Sequence, residues 1–322
     1  MILLLTNYGD YSTDIIIDYL KLFKVEFMRI NSFDLLNNSL QISINKSYIN
    51  FNGKILNTKN IRAVWFRKFG FFRKSLQSKT QQKLVDSLAQ AYFSTEFSRV
   101  ITIFESYFKE AFWLTNPNNI ILNKFLVLKL AQNIGFKIPE TYVVNDAKLL
   151  ENIKSKETKI ISKSIYDPLM LKMFDRSYSM YTTIIEDNDL SKIPKRFLPS
   201  MVQQAIEKEY EIRVFFLMNK CYSMAIMSQD DDTTRIDYRK YNINLPNRFL
   251  PYKLPSEIEQ NIVKLMNKLE LNTGSLDFIV DRKGNYIFLE INPTGQFGMV
   301  DFPCNYGLHK KVAELLVRKD KK

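Results

Sequence analysis

The stretch GSLDFIVDRKGNYIFLEINP, Gly274 to Pro293, constrains this chain more than any other. Leu276 to Val280 is a short apolar run interrupted by one acid, Asp277. Tyr286 to Ile291 is a second β-prone run, and it carries Glu290. The polar segment Asp281-Arg282-Lys283-Gly284-Asn285 between them predicts a β-hairpin. Side chains alternate along a strand, so Glu290 and Asn292 are expected to share a face with Tyr286 and Phe288. Pairing the strands back from the turn puts Asp277 opposite Glu290, or one residue off. Opposed residues have Cβ atoms about 4.5–5.5 Å apart, where like charges destabilise the pair. Two carboxylates and an amide oxygen so placed, inside apolar runs, point to a bound cation. A solvated hairpin with scattered charges is the other reading. Hard oxygen donors that leave room for phosphate oxygens suit Mg²⁺.

The frame of Asp277, Glu290 and Asn292-Pro293, followed by Thr294-Gly295-Gln296, resembles the metal-binding end of ATP-grasp carboxylate–amine ligases. With Gly295-Gln296-Phe297 and Tyr306-Gly307-Leu308 it is similar, more narrowly, to the ATP-grasp peptide maturases that make graspetides. These are microviridin-type ω-ester and ω-amide peptides, and the grasp-with-spasm branch is the nearest match. The resemblance implies an α/β ATP-grasp fold in three parts. Residues 1–115 would form an N-terminal open α/β (pre-ATP-grasp) domain. Residues 116–200 would form a central subdomain that is either a leader-binding region or simply the ATP lid, and residues 201–322 a C-terminal subdomain with the nucleotide and Mg²⁺ sites.

The rest of the chain is consistent with a folded α/β enzyme. Its 322 residues, 46% hydrophobic, can bury a substantial core. No apolar run approaches the 18 or so residues of a membrane span, and the apolar start, Met1 to Asn7, lacks a basic flank and a cleavage pattern. Cys221 and Cys304 are far apart, so a reducing cytoplasm is expected. His309 is the only histidine, which removes His-based triads and His-rich metal sites. The formal net charge is +12, a field that a nucleotide, an acidic peptide or nucleic acid would answer. The lysines are dispersed through a Lys-, Asn- and Ile-rich composition, so the charge selects none of these, and nucleic acid is not expected.

In chain order, Ile2 to Leu5 reads as a strand, Ser12-Thr13-Asp14 as a helix cap, and Val25 to Ile30 as the next strand, a βαβ opening without G-x-G-x-x-G. Ile42 to Phe51 alternates like one exposed strand, with Asn52-Gly53 as a turn into Lys54 to Leu56. Ala63 to Lys68 is a strand ending in Arg67 and Lys68, which are expected to flank the strand end. Lys79 to Trp113 is helical throughout. Asn123-Lys124-Phe125 opens a helix that Gly135 stops. Lys163 lies in the strand-like run Lys159 to Ser164, where a lysine is costly unless an anion meets it. Glu207 to Tyr210 reads as a polar connection between strands.

The resemblance assigns roles to these residues. Lys124 and Lys163 would reach the nucleotide phosphates. The main chain of Gln204, Ala205 and Ile206 would pair with the adenine edge, and Glu211 would bond the ribose hydroxyls. Arg213, and Arg239 in the run Arg235-Ile236-Asp237-Tyr238-Arg239, would meet the transferring phosphoryl group. ATP and Mg²⁺, with two ions expected, are the implied cofactors. The implied reaction phosphorylates Asp or Glu side chains of a ribosomal precursor peptide (a leader plus an acidic, hydroxyl-rich core). Thr, Ser or Lys side chains of the same peptide then close macrocycles. A SPASM-domain protein of the same system and a homodimer are compatible with this reading. An intermolecular RimK-like amino-acid ligase and a basic, non-catalytic nucleotide-binding module are the alternatives.

Overall fold

The computed structural model describes residues 1–45, 48–57, 59–70, 85–157, 159–165, 170–173, 176–179, 182–228 and 247–321. The chain forms two compact units. The first comprises Met1–Ile121, Glu270–Gly274 and Pro293–Lys322, and the second Leu122–Leu269 and Ser275–Asn292. The closing segment of the chain therefore folds with its beginning.

In the first unit a parallel sheet runs in the order Phe27–Asn31, Ile2–Thr6, Ala63–Phe66, Phe112–Trp113. Ile2 to Leu5 are fully buried, as a central strand covered on both faces requires. The first helix, Tyr11–Leu22, starts earlier than its sequence predicts. Its cap is Asp10, whose carboxylate accepts the Thr13 amide at 3.0 Å, and Ser12 and Thr13 are buried inside the helix. The expected single strand from Ile42 to Phe51 is instead two strands, Leu40–Ser43 and Tyr48–Phe51, which pair with Lys54–Leu56 in a small sheet. Folding back sets Ile42 opposite Ile49 and Leu40 opposite Phe51, so the apolar residues of both halves reach one core. Asn52 and Gly53 both have positive φ, the hairpin turn their sequence predicts. The long helical run is the helix Val85–Tyr107, while Phe112–Trp113 leaves the helix to become the edge of the sheet. Residues 79–84 lie outside the described residues.

Arg67 is not a surface residue at a strand end. It is buried, and its Nε donates to both oxygens of Asp10 at 3.0 and 3.1 Å. Its other nitrogens donate to the carbonyls of Thr294 and Gly295 and to Gln296 Oε1, and its guanidinium lies over the Phe297 ring. Burial alone would raise the Asp10 carboxyl. Arg67, Lys68 and the Thr13 amide outweigh it and hold the pKa below the usual carboxylate value. Asp301 is held low in the same way: His309 and the amides of Leu308 and His309 overcome its burial. A depressed carboxyl contributes stability that is complete above its unfolded pKa, about 4, and is lost as pH falls through the folded value. Thermal unfolding is therefore expected to show a melting temperature that drops steeply below pH 4. Asp10→Asn leaves the buried Arg67 without its carboxylate. It should destabilise by about 3–5 kcal/mol already at pH 7 and flatten the acid slope. An unchanged melting temperature in Asp10→Asn would show that the pair carries no stability.

The second unit contains two larger sheets. One runs in the order Arg248–Tyr252, Lys220–Met227, Lys208–Leu217, Thr273–Asp281, Tyr286–Asn292, and the other in the order Thr183–Ile184, Ile160–Lys163, Arg196–Gln204, Thr141–Asp146. The expected polar connection at 207–210 is shorter than its composition predicts, because the strand already begins at Lys208. The helix Lys124–Ile134 is capped by Asn123, which accepts the amides of Phe125 and Leu126. It ends on Gly135 at φ +110°, a conformation that favours glycine. Phe136 follows and packs between Phe278 and Phe288, with ring centroids 5.6 and 5.5 Å away, and Lys137 O accepts the Phe288 amide. These contacts fix the end of that helix against the acidic hairpin. Among the described residues no helix is long and apolar enough to cross a membrane.

Candidate nucleotide and metal site

The hairpin forms as its sequence predicts, with a bulge that decides its chemistry. From the turn, Val280 pairs with Tyr286, Ile279 with Ile287 and Phe278 with Phe288. The register then shifts, so that Asp277 pairs with Glu290 and Ser275 with Asn292. Leu289 is the extra residue. A shift of one residue moves every later side chain to the other face. Glu290 and Asn292 therefore do not share a face with Tyr286 and Phe288, as unbroken alternation predicts. They share it with Ser275, Asp277, Ile279 and Ile287. The opposite face, carrying Leu276, Phe278, Val280, Phe288 and Ile291, is buried core. The bulge is thus what brings the two acids to one side.

Cations from three further elements converge on these acids. Arg213, on the strand next to Thr273–Asp281, donates Nη1 to both oxygens of Asp277 at 3.0 and 3.1 Å. Lys124 is the first residue of its helix and Lys163 the last of its strand. Their ammonium groups lie 3.2 and 3.3 Å from the same atom, Glu290 Oε2. The side chains of Lys124, Lys163 and Glu290 are 19, 13 and 20% exposed. Two ammonium groups held on one oxygen repel each other, and only further negative charge relieves them. The cluster thus has the makings of a site for a polyanion and its counter-cation. Among the described residues no group of three or more His, Cys, Asp and Glu is placed to hold a metal. Two carboxylates and an amide, all oxygen donors, fit an ion that takes its other ligands from water and phosphate, which is the habit of Mg²⁺.

A cavity of about 410 Å³ opens in the same unit, within the range of small-molecule sites. Ile161, Ile184, Ala205, Ile206 and Ile279 supply its apolar walls. The predicted hinge borders it, and the backbone sorts its three residues. The Gln204 amide donates to Glu140 O and the Ala205 amide to Lys159 O, both at 2.9 Å. Of the three, Ile206 alone has an amide with no such bond among the described residues, so it is the donor available to a ring edge. Gln204 is partly buried at the end of its strand. Glu211 is buried, and its Oε1 accepts from Lys208 and, at 3.4 Å, from Ser228 Oγ.

The fold thus brings Lys124, Lys163, Arg213, Asp277 and Glu290 together, with Asn292 next along the same face. Ala205 and Ile206 line the cavity, and Glu211 contacts Lys208, which lines it too. Arg239 lies outside the described residues. Sequence reasoning missed Lys208. A lysine in a run of Glu207-Lys208-Glu209 reads as solvated surface, and only its burial beside Glu211 marks it.

No family model matches the sequence, and no curated protein is significantly similar to it. Solved structures are. The RiPP-associated ATP-grasp ligase of Chryseobacterium gregarium, solved with ADP and a leader and core peptide, superimposes with a TM-score of 0.86 at 25% identity. The match covers 99% of this chain and 96% of that one. The macrocyclase MdnC of Microcystis aeruginosa MRC, solved with its precursor peptide MdnA, gives 0.83 at 22% identity over 99% and 100% of the two chains. The D-cycloserine synthetase DcsG gives 0.57 at 12% identity over 99% and 100%. The chain has the fold of the ATP-grasp ligases. Within that class its architecture is that of the ligases and macrocyclases that modify ribosomal peptides.

Proposed function

We propose that this chain is an ATP-dependent, ADP-forming ligase that closes ω-ester or ω-amide macrocycles in a ribosomal precursor peptide. The observation that carries this reading is the convergence of Lys124, Lys163 and Arg213 on Asp277 and Glu290. It occurs in a fold shared along its whole length with peptide-modifying ATP-grasp ligases. Asp277, Glu290 and Asn292 would hold Mg²⁺, as one or two ions, which when bound neutralises charge on the β- and γ-phosphates. Lys124 and Lys163 balance the remaining phosphate charge, and Arg213, with Arg239 as a second candidate, stabilises charge developing on the transferred phosphoryl group. The main chain at 204–206 and the Glu211 carboxylate hold the adenosine.

A side-chain carboxylate of the peptide attacks the γ-phosphorus, giving an acyl phosphate and releasing ADP. A Thr or Ser hydroxyl, or a Lys amine, of the same peptide then attacks the acyl carbon, loses its proton and expels phosphate. Catalysis rests on positioning and charge stabilisation. The three-part division at residues 115 and 200, a cytoplasmic location, a homodimeric assembly and a SPASM-domain protein as a further partner complete the proposal. Incubation with precursor, ATP and Mg²⁺ should give a product lighter by one water per ring, read by mass spectrometry. An intermolecular ligase would give a product heavier by one residue.

The leader is expected to engage Asp146 to Pro199, a region rich in Lys, Arg and aromatics. Of the residues that suggest this, Tyr166 and Phe174 lie outside the described residues. A core peptide alone offers few contacts, whereas a bound leader raises the effective concentration of each reacting side chain, by up to a factor of about 10²–10⁴. Full-length precursor should therefore lose water at least tenfold faster than leaderless core at matched concentration. Equal rates would remove the leader from the mechanism.

A further inference from the structure

We infer that Lys208, which lines the cavity, is a positioning residue for the nucleotide sugar, holding the Glu211 carboxylate in place so that the site distinguishes ribose from deoxyribose. This rests on the reading of the second unit as an ATP site. The side chains of Lys208 and Glu211 are 4 and 11% exposed, and the ammonium contacts Glu211 Oε1 directly. A lysine this deep is costly unless paired, and so is the carboxylate. Lys208 also lines the cavity beside Ala205 and Ile206. Along the same strand, two residues beyond Glu211, Arg213 grips Asp277. Along this strand Glu211 therefore falls between Lys208, which lines the cavity, and Arg213 of the cationic cluster, where the sugar of a nucleotide would join its base to its phosphates.

An ionised carboxylate is an acceptor only, and it suits a sugar that presents hydroxyl donors. Without the ammonium, the buried carboxylate loses the ion pair that fixes its orientation, and its oxygens are no longer held to meet the sugar hydroxyls. Among the described residues lining the cavity, the other charged groups lie at its exposed rim. Arg282 and Glu207 face each other at 3.8 Å with side chains 73 and 69% exposed, and Lys159 and Glu209 are also exposed at its rim. Ser228 donates to the same oxygen as Lys208, but brings no charge.

The test is calorimetric binding of ADP, 2′-deoxy-ADP and 3′-deoxy-ADP in the presence of Mg²⁺, to the wild-type chain and to Lys208→Met and Lys208→Arg. Hydrogen bonds to a charged acceptor correspond to a preference of roughly ten- to a hundredfold. The wild type should favour ADP over at least one deoxy analogue by about that factor. Lys208→Met should bring the ratio close to one while changing deoxy-ADP affinity little, and Lys208→Arg should restore most of it. If Lys208→Met does not fold, Lys208→Gln carries the same test. A wild-type ratio near one overturns the inference, and so does an uncharged variant that weakens all three ligands equally. ADP failing to bind the wild type at all would instead remove the nucleotide reading itself.

Discussion

Glu290→Gln is expected to abolish peptide-dependent ADP release while leaving the chain folded. The substitution preserves shape and removes one charge, but that charge sits at the junction of two functions. One oxygen of Glu290 meets both Lys124 and Lys163, at 3.2 and 3.3 Å. It is also one of two carboxylates on the face that Asp277 shares. Losing it leaves two ammonium groups close together without their anion. The stability cost should be modest, about 1–3 kcal/mol, since these side chains remain partly exposed. The functional cost should be larger. Changing a residue that merely supports a metal ligand costs about 10–100-fold, so losing a ligand should cost at least a hundredfold in turnover. Nucleotide binding without metal should persist or tighten, because the lysines are released from Glu290. Metal-free and metal-bound calorimetry beside the ADP-release assay separates these effects. Ordinary turnover in Glu290→Gln at ordinary Mg²⁺ would sink the metal assignment. Asp277→Asn should behave alike in turnover, with Arg213 as the group left without its carboxylate.

Lys163→Met is expected to weaken nucleotide binding roughly ten- to a hundredfold with little change in stability. Methionine keeps most of the apolar stem of a side chain that is only 13% exposed. Glu290 retains Lys124, so no buried carboxylate is stranded. The two lysines reach Glu290 from separate elements, a helix start and a strand end, and their loss should not be interchangeable in stability. Lys124 opens its helix, whereas Lys163 ends a strand at the edge of the cluster. Calorimetric titration with ADP or a non-hydrolysable ATP analogue reads the effect. Unchanged affinity would make Lys163 a structural lysine and take the phosphate role from it.

Much of this candidate site is legible in the sequence, because its signals are local. Asp277 and Glu290 interrupt apolar runs, Lys163 interrupts a strand, Asn123 and Gly135 bracket a helix, and Asn52-Gly53 makes a turn. Each is a backbone or solvation conflict within a few residues, and short-range periodicity is enough to expose it. The single histidine and the two distant cysteines remove whole classes of chemistry by count alone. The tertiary structure decided what depends on distant partners. It placed a bulge at Leu289 that turns Glu290 to the side of Asp277, a choice worth little locally and settled by the burial of Phe278, Phe288 and Ile291 on the other face. It buried Lys208 against Glu211, folded the alternating run after Ile42 back on itself, and moved the first helix cap to Asp10. It also drew Arg67 onto the loop at Thr294 to Gln296, far along the chain. Spacing along the chain carries no record of such partners, since charge pairing and face burial are satisfied only once the whole unit has closed.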